Sequence, residues 1–423
     1  MTCPVGRAER FLAAGLALVL LARVASAQAG EAPPPARSLE PPLVPWSEAA
    51  AHVGERIAVE GEVARVAVRP KVAFLNFDRD WKGKLSVVLF PNLWPHYGDS
   101  LEEAFLGRRI RVVGEVEEYH GAPEIVVRTP WQIEFLDRPP GAVTGAEPRL
   151  ERSADEVLLV TWNVENLFDS WDDPYHEDEV TAPTPRARRA ALGAVLRYLD
   201  ADVVCLQEVE NRGLLEDFVA EQLPGRGYAV VLLEGNDGRG IDVAVLTRLP
   251  LLGVATHRHD RFPLEAEGDD ADEAWFQRDL LEVRLGAPLD ATVFTAHLKS
   301  QLGGEEADAL RLAEARAAAA VAAARLAADP EARLLLVGDL NDVPGSDPLV
   351  ALAGTGAPLR DLCRDHDRPS YLPERWSSRL DHVLVSPAAV ALAPDGAHVV
   401  DLAAAGVPAD ASDHLPVLVR LRP

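Results

Sequence analysis

From residue 150 onward, short apolar runs alternate with helix-length runs, and the apolar runs share one constraint: most end or begin on a residue able to bind a cation or carry a proton. The run from Glu156 to Trp162 leads into Asn163, Ala201 to Gln207 into Glu208, Ala291 to Ala296 into His297, and Ala332 to Gly338 into Asp339 and Asn341. Two others open on such residues, Asp381 ahead of HVLVS and Asp413-His414 ahead of LPVLVRL. Short runs rich in Val, Leu and Ile read as buried strands, a further one being IDVAVLTR, and 185–200 and 306–328 read as helices. If the second set of strands runs antiparallel to the first, all six polar clusters lie along one edge. That edge gathers Asn, Asp, Glu and His: hard oxygen ligands for a cation such as Mg2+, beside imidazoles that titrate near neutrality. Thiolates are missing from it, which argues against a structural zinc.

The segment ahead of this alternation differs in composition. Residues 46–137 hold 11 of the chain's 25 aromatics and read as strands at RIAVEGEVARVAV, KVAFLNF, KLSVVLF, RIRVVGEVEEY and EIVVRTPWQIEFL. A short helix-like piece, SLEEAFLG, follows the third. Five strands with a helix after the third resemble the OB-fold, a small barrel that binds single strands or oligosaccharides. On that reading Phe74, Phe77, Trp81 and Trp94 form a stacking platform; the competing reading makes them barrel core. Pro-rich 28–45 and 138–150 read as linkers, and 264–274, LEAEGDDADEA, as a solvated acidic insertion.

Wording as well as position is informative in the second part. TWNVENLFD at 161–169, VVCLQEVEN at 203–211, RGIDVAVLTR at 239–248, FTAHLKSQ at 294–301, VGDLNDVP at 337–344, RLDHVLVS at 379–386 and ASDHLPV at 411–417 together resemble the endonuclease/exonuclease/phosphatase, or DNase I-like, family. The closest wording is that of secreted bacterial nucleases with an N-terminal OB-fold domain. The resemblance implies a four-layer α/β sandwich over 151–423, preceded by a small all-β OB-like barrel. It implies metal ligation by Asn163, Glu208 and Asp413, and catalysis by His297, Asp339, Asn341, Asp381 and His414, with Asp381 orienting the His414 imidazole and keeping it protonated. The implied cofactor is Mg2+ or Mn2+, with Ca2+ also open. Lys299, the only Lys after residue 84, falls two positions beyond His297 and is a phosphate-binding candidate; Arg239, in a Gly-rich turn, is a weaker one.

The formal net charge is -25, so no global positive field attracts a polyanion, and an anionic substrate must be met by a local patch of cations. Arg7 and Arg10 precede an apolar run from Phe11 to Ala22 and the small-residue site Ala25-Ser26-Ala27, the pattern of a cleaved signal over residues 1–27 and of a secreted or periplasmic protein. No later run is long and apolar enough to suggest stable membrane association, and no protein partner is inferable. Cys205 and Cys363 either pair or remain buried thiols. The reading is a secreted metal-dependent phosphodiesterase whose substrate is nucleic acid, DNA favoured over RNA. A phosphatase or lipid phosphodiesterase of the same superfamily is the alternative, and a nucleic-acid-binding protein with a vestigial catalytic domain the second.

Overall fold

The structure is a computed structural model and describes residues 41–97, 100–128, 132–136, 148–171, 173, 175–177, 181, 183–264, 273–363, 368–373 and 375–423. The expected signal segment, most of both Pro-rich stretches and residues 265–272 of the acidic insertion lie outside these.

The N-terminal sheet contains β1 (Arg56–Glu62), β2 (Arg65–Arg69), β3 (Val72–Asn76), β4 (Ser86–Leu89), β5 (Arg109–Tyr119), β6 (Ala122–Val127) and β7 (Ile133–Phe135), with helix α1 (Leu101–Phe105) between β4 and β5. Ser100 caps that helix by accepting the Glu103 N–H. Two of the five expected runs break in two, the first between β1 and β2 and the last between β6 and β7. The strand order is β1-β5-β6-β4-β3-β2, so the two halves of the first run stand at opposite ends of the sheet. Its core, built from residues such as Ile57, Leu75, Phe105 and Ile110, is a cluster of its own.

This core takes in two of the four residues of the expected stacking platform, Phe77 and Trp94. Phe77 is buried and stacks on Trp46 with ring centroids 5.9 Å apart, and Trp94 packs on the same core while its Nε1–H reaches the Leu89 carbonyl. Phe74 is half-buried, and exposed Trp81 carries the Arg65 guanidinium 5.0 Å from its ring centre. Phe77 lies just past β3 and Trp94 in the Pro91–Tyr97 helical turn, where both gain apolar burial against this core.

The second part follows with β8 (Val157–Leu167), α2 (Arg186–Leu199), β9 (Val203–Val209), α3 (Arg212–Gln222), β10 (Ala229–Leu232), β11 (Asp242–Thr247), β12 (Leu251–Ala255), β13 (Phe262–Pro263), β14 (Glu273–Ala274), β15 (Leu280–Leu285), β16 (Ala291–His297), α4 (Gly304–Ala328), β17 (Leu334–Asp339), α5 (Asp347–Ala353), β18 (Arg360–Asp361), β19 (Asp381–Val385), β20 (Ala397–Val399) and β21 (Val417–Leu421). They build two six-stranded sheets, β10-β11-β9-β8-β21-β20 and β12-β15-β16-β17-β19-β18. β8 runs parallel to β9 and β16 parallel to β17, while β21 and β19 run antiparallel to β8 and β17. This is the opposed sense that brings strand-ending and strand-opening residues to one edge, here the adjoining edges of two sheets.

Period-two alternation shows how the layers assemble. In β17, Leu335 and Val337 enter the core shared with the first sheet, whereas Leu334 and Leu336 pack outward with Ala315, Ala318 and Ala322 of α4. The first sheet is covered likewise by Leu192, Val195 and Leu196 of α2 and Phe218 of α3. Burial on both faces is why these strands read as unbroken apolar runs, and each fully buried Leu contributes about 1.5–3 kcal/mol. The result is a mixed α/β fold of helix, sheet, sheet and helix layers.

Candidate functional site

Sheet geometry first fixes where the strand ends lie. His297 and Asp339 are register partners across β16 and β17. Close approach there requires Gly338: its φ is +144°, and a Cβ would lie 1.9 Å from the Ala296 carbonyl oxygen. Several site residues adopt left-handed backbone without being glycine, namely Glu165 (φ 52°), Asn166 (φ 54°), Glu208 (φ 64°) and Asn341 (φ 53°). Such conformations cost free energy and persist where surrounding bonds impose them. Glu208 Oε2 accepts the Asn166 N–H at 2.9 Å, and Asp339 Oδ1 accepts the Asn341 N–H at 2.9 Å.

Asn163 joins the two sheets' acids. Its Nδ2 donates to Glu208 Oε1 at 3.1 Å and to Asp339 Oδ2 at 3.0 Å, and its Oδ1 accepts the Glu165 N–H. The amide therefore orders both carboxylates, while its own oxygen is already engaged. Two imidazoles face Asp339 Oδ2, with His297 Nε2 at 3.7 Å and His414 Nε2 at 3.6 Å. His414 is fixed from behind: its Nδ1–H donates to Asp381 Oδ2 at 2.7 Å, its carbonyl accepts the Trp162 indole N–H, and its N–H donates to Ser412, which in turn donates to the Asn163 carbonyl.

The two imidazoles differ in charge. Burial alone would lower the His414 pKa, but the Asp381 and Asp339 carboxylates outweigh it and push it up to about 10. His297 is lowered well below the usual imidazole range, by burial first and then by the positive charges of Arg278, His414, Arg239 and Lys299, and its buried Nδ1 has no hydrogen-bond partner among the described residues. His414 therefore carries charge while burial and the neighbouring cations keep His297 neutral. Asp339 is raised by burial, with His414 opposing.

A second acidic group adjoins. Glu165 Oε2 accepts the Asp413 N–H, and the Asp413 carboxyl is pushed up to about 7 by burial and by Glu165 and Glu208, against the lowering effect of His414. An Asp413 carboxyl whose ionisation Glu165 and Glu208 oppose suits a hard divalent cation beside it, whose charge would favour the ionised form of Asp413. Asp339, Asp381 and His414 also lie close enough to share an ion, but the Asp381–His414 hydrogen bond already occupies Nδ1. A further convergence of Asp173, His176 and Glu234 lies on half-buried and exposed side chains.

Among the expected phosphate contacts, half-buried Lys299 contributes to the field at His297 and exposed Arg239 does so more strongly. Phe74, Phe77, Trp81 and Trp94 are not brought to this site; they belong to the N-terminal sheet. The structure adds residues the sequence did not reveal. Arg278, 5% exposed, is the positive charge that acts most strongly on His297 and pairs with Asp237 at 2.8 Å. Arg188 bonds the Val164 and Ala411 carbonyls, tying the Asn163 and Asp413 segments together. Tyr371 lies with its ring centre 4.9 Å from that of His414. Reading LLEVRL as a strand would have put Arg278 on the same rim, but its internal Glu282 and Arg284 hid the apolar run.

The sequence model of the Endonuclease/Exonuclease/phosphatase family matches residues 160–414, which contain every one of these rim residues. The chain belongs to the endonuclease/exonuclease/phosphatase family. It is thus an enzyme of a family of metal-dependent phosphodiester hydrolases and phosphatases. Similar solved structures include a Bacteroides thetaiotaomicron mannosyl-6-phosphatase, 19% identical with TM-score 0.41, covering 62% of this chain and 98% of that one. Others are the human Nocturnin catalytic domain, 18% identical with TM-score 0.42 over 65% of this chain and 95% of that one, and the Neisseria 3′ phosphatase NExo bound to product DNA hairpin, 19% identical with TM-score 0.42 over 63% and 99%. No curated protein sequence matches the chain.

Proposed function

We propose that this family member is an exported, divalent-metal-dependent nuclease that hydrolyses phosphodiester bonds of DNA or RNA, with DNA the favoured substrate. The observation that carries the proposal is the pair of imidazoles in opposite charge states facing Asp339. Phosphodiester hydrolysis needs a proton acceptor for the attacking water and positive charge where the phosphoryl oxygens become more negative. Asp339 takes the proton of the attacking water. His414, cationic and held by Asp381, donates its Nε2–H to a phosphoryl oxygen. Neutral His297 offers a hydrogen bond on the opposite side, and Asn341, whose amide gives one N–H to the Leu298 carbonyl, keeps its second for the phosphate.

Glu208 and Asp413, with Glu165 alongside and Asn163 ordering Glu208, are the residues that would hold the cation. When bound, Mg2+ or Mn2+ supplies positive charge to the phosphoryl and leaving oxygens. Export rests on Arg7, Arg10, the Phe11–Ala22 run and Ala25-Ser26-Ala27. The OB-like reading of 46–137 is supported by a sheet order in which one run supplies both ends, and by the helix between β4 and β5. Within that region Trp81, under Arg65, is the remaining candidate for stacking on a base.

Purified protein incubated with linear and circular DNA, RNA, bis-p-nitrophenyl phosphate and a phosphomonoester, with Mg2+, Mn2+ or EDTA, tests the proposal. Cleavage of DNA or RNA that EDTA abolishes is expected. Hydrolysis of the monoester with every nucleic acid left intact overturns the nuclease assignment.

A further inference from the structure

Helix α4 is Ala-rich, and its buried face is Ala307, Ala313, Ala315, Ala318, Ala319 and Ala322 apart from two charged residues, Arg311 and Glu314. These are 5% and 1% exposed. Burying a charge is costly without compensating bonds, and a helix that packs through alanine gains nothing in packing from either. Their partners show where compensation comes from. Both oxygens of Glu314 accept backbone N–H groups: Oε1 that of Gln277 at 2.9 Å and Oε2 that of Lys299 at 2.7 Å. Arg311 donates to the carbonyls of Lys299 and Ser300, each at 3.3 Å, and through Nε to Asp342 Oδ2 at 2.9 Å.

The Lys299 backbone is thus held at both polar groups, its N–H by Glu314 and its carbonyl by Arg311. Gln277 immediately precedes Arg278, and Asp342 immediately follows Asn341. Two more bonds lace the same loops, from Gln301 Nε2 to the Asn341 carbonyl and from Asn341 Nδ2 to the Leu298 carbonyl. We propose that Arg311 and Glu314 are positioning residues that, by holding the Lys299 backbone at both polar groups, aim Lys299 at the substrate phosphate, setting affinity for the anionic substrate rather than the chemistry at Asp339 and His414. The inference rests on the reading of the rim as a phosphodiester site.

Glu314→Gln preserves size but replaces one accepting oxygen with an amide donor that faces a backbone N–H. In the full-length enzyme it is expected to raise KM for bis-p-nitrophenyl phosphate and for a DNA oligonucleotide about ten- to a hundredfold, the usual scale for groups that orient a contacting residue. The change in kcat at saturation should be smaller. Lys299→Ala should raise KM too, and the double variant by less than the product of the single effects, because Glu314 acts through Lys299. Should Glu314→Gln fail to fold, Arg311→Lys, which keeps the charge and loses the planar fork, must show the same KM-dominated pattern. A variant that lowers the melting temperature with KM unchanged, or effects of Glu314→Gln and Lys299→Ala that multiply fully, overturns the proposal. Absence of DNA cleavage by the wild-type enzyme bears on the nuclease assignment instead, and the bis-p-nitrophenyl phosphate series still decides the positioning role.

Discussion

The two six-stranded sheets follow one plan with different chemistry. In the first, β8 and β9 are parallel strands joined through α2 and flanked by antiparallel β21 and β11; in the second, β16 and β17 are joined through α4 and flanked by β15 and β19. Corresponding positions on the rim then pair off: Asn163 with His297, Glu208 with Asp339, and Asp242 with Asp381, each of the last two opening the strand beside the second parallel strand. The registers differ by one residue, since Asn163 lies opposite Gln207 whereas His297 lies opposite Asp339 itself. The sharpest contrast is between the paired acids. Asp381 has an imidazole to hold and keeps His414 cationic, whereas Asp242 accepts the Gly235 N–H on Oδ1, has no imidazole bonded to it among the described residues, and is pushed up to about 9, by burial first and then by Glu234, Asp279 and Asp237, with the Gly235 bond opposing. The same scaffold position carries an acid bonded to an imidazole in one sheet and, in the other, an acid that burial drives toward its neutral form.

The largest effects should come from the catalytic side of this contrast. His414→Ala or Asp339→Ala is expected to lower kcat at least about a hundredfold, the lower end for a positioned acid-base group. Steady-state assays on bis-p-nitrophenyl phosphate check this, and wild-type turnover by either folded variant removes the residue from the mechanism. Asp381→Asn should approach the same loss, about tenfold to a hundredfold, because an amide cannot hold His414 in its charged form. An Asp381→Asn enzyme with an unshifted rate would show that the carboxylate of the second sheet is no more functional than its counterpart in the first.

The backbone difference gives a stability test. Gly338 in β17 has no room for a Cβ, while the corresponding Gln207 in β9 carries a full side chain that donates to Thr161 and, across the sheets, to Thr295 at 3.2 Å. Gly338→Ala should destabilise by about 3 kcal/mol or more, read as a loss of melting temperature or of soluble protein. A melting temperature within a degree or so of wild type would mean that the close approach of β16 and β17 is not required.

Much of this was legible in advance, for identifiable reasons. Strands buried on both faces, such as Leu334–Asp339, advertise themselves as apolar runs, and their terminal polar residues marked the rim. Strand β15 escaped because Glu282, though only 4% exposed, is charged; its burial is compensated by His257 and by Arg325 at 2.7 Å, partners remote in sequence. Arg278 escaped with it. The internal repeat was invisible because it is one of topology, with no shared residue spacing between Asn163–Glu208 and His297–Asp339. Charge state was half legible: the Asp381 motif beside His414 predicted a cation, but the neutrality of His297 depends first on its burial and then on Arg278 and other cations that the chain brings in from elsewhere.

Asp242 offers the smallest effect and the cleanest test of the comparison. With its folded pKa raised to about 9 from an unfolded value of about 3.9, the folded state binds more protons than the unfolded state between those limits. The sign of the linkage follows: its contribution is fully present below the unfolded value and is lost as pH rises through the folded one, so wild-type stability falls with increasing pH across this window. Asn has nearly the shape of the protonated acid and does not titrate. Asp242→Asn should therefore leave kcat near wild type, match wild-type stability near pH 4, and exceed it increasingly as pH rises to 8, by about 1.4 kcal/mol for each pH unit between the unfolded and folded values. Denaturant melts at the two pH values read this directly. If Asp242→Asn loses stability at pH 8, Asp242 is ionised in the folded protein, and burial does not set its charge.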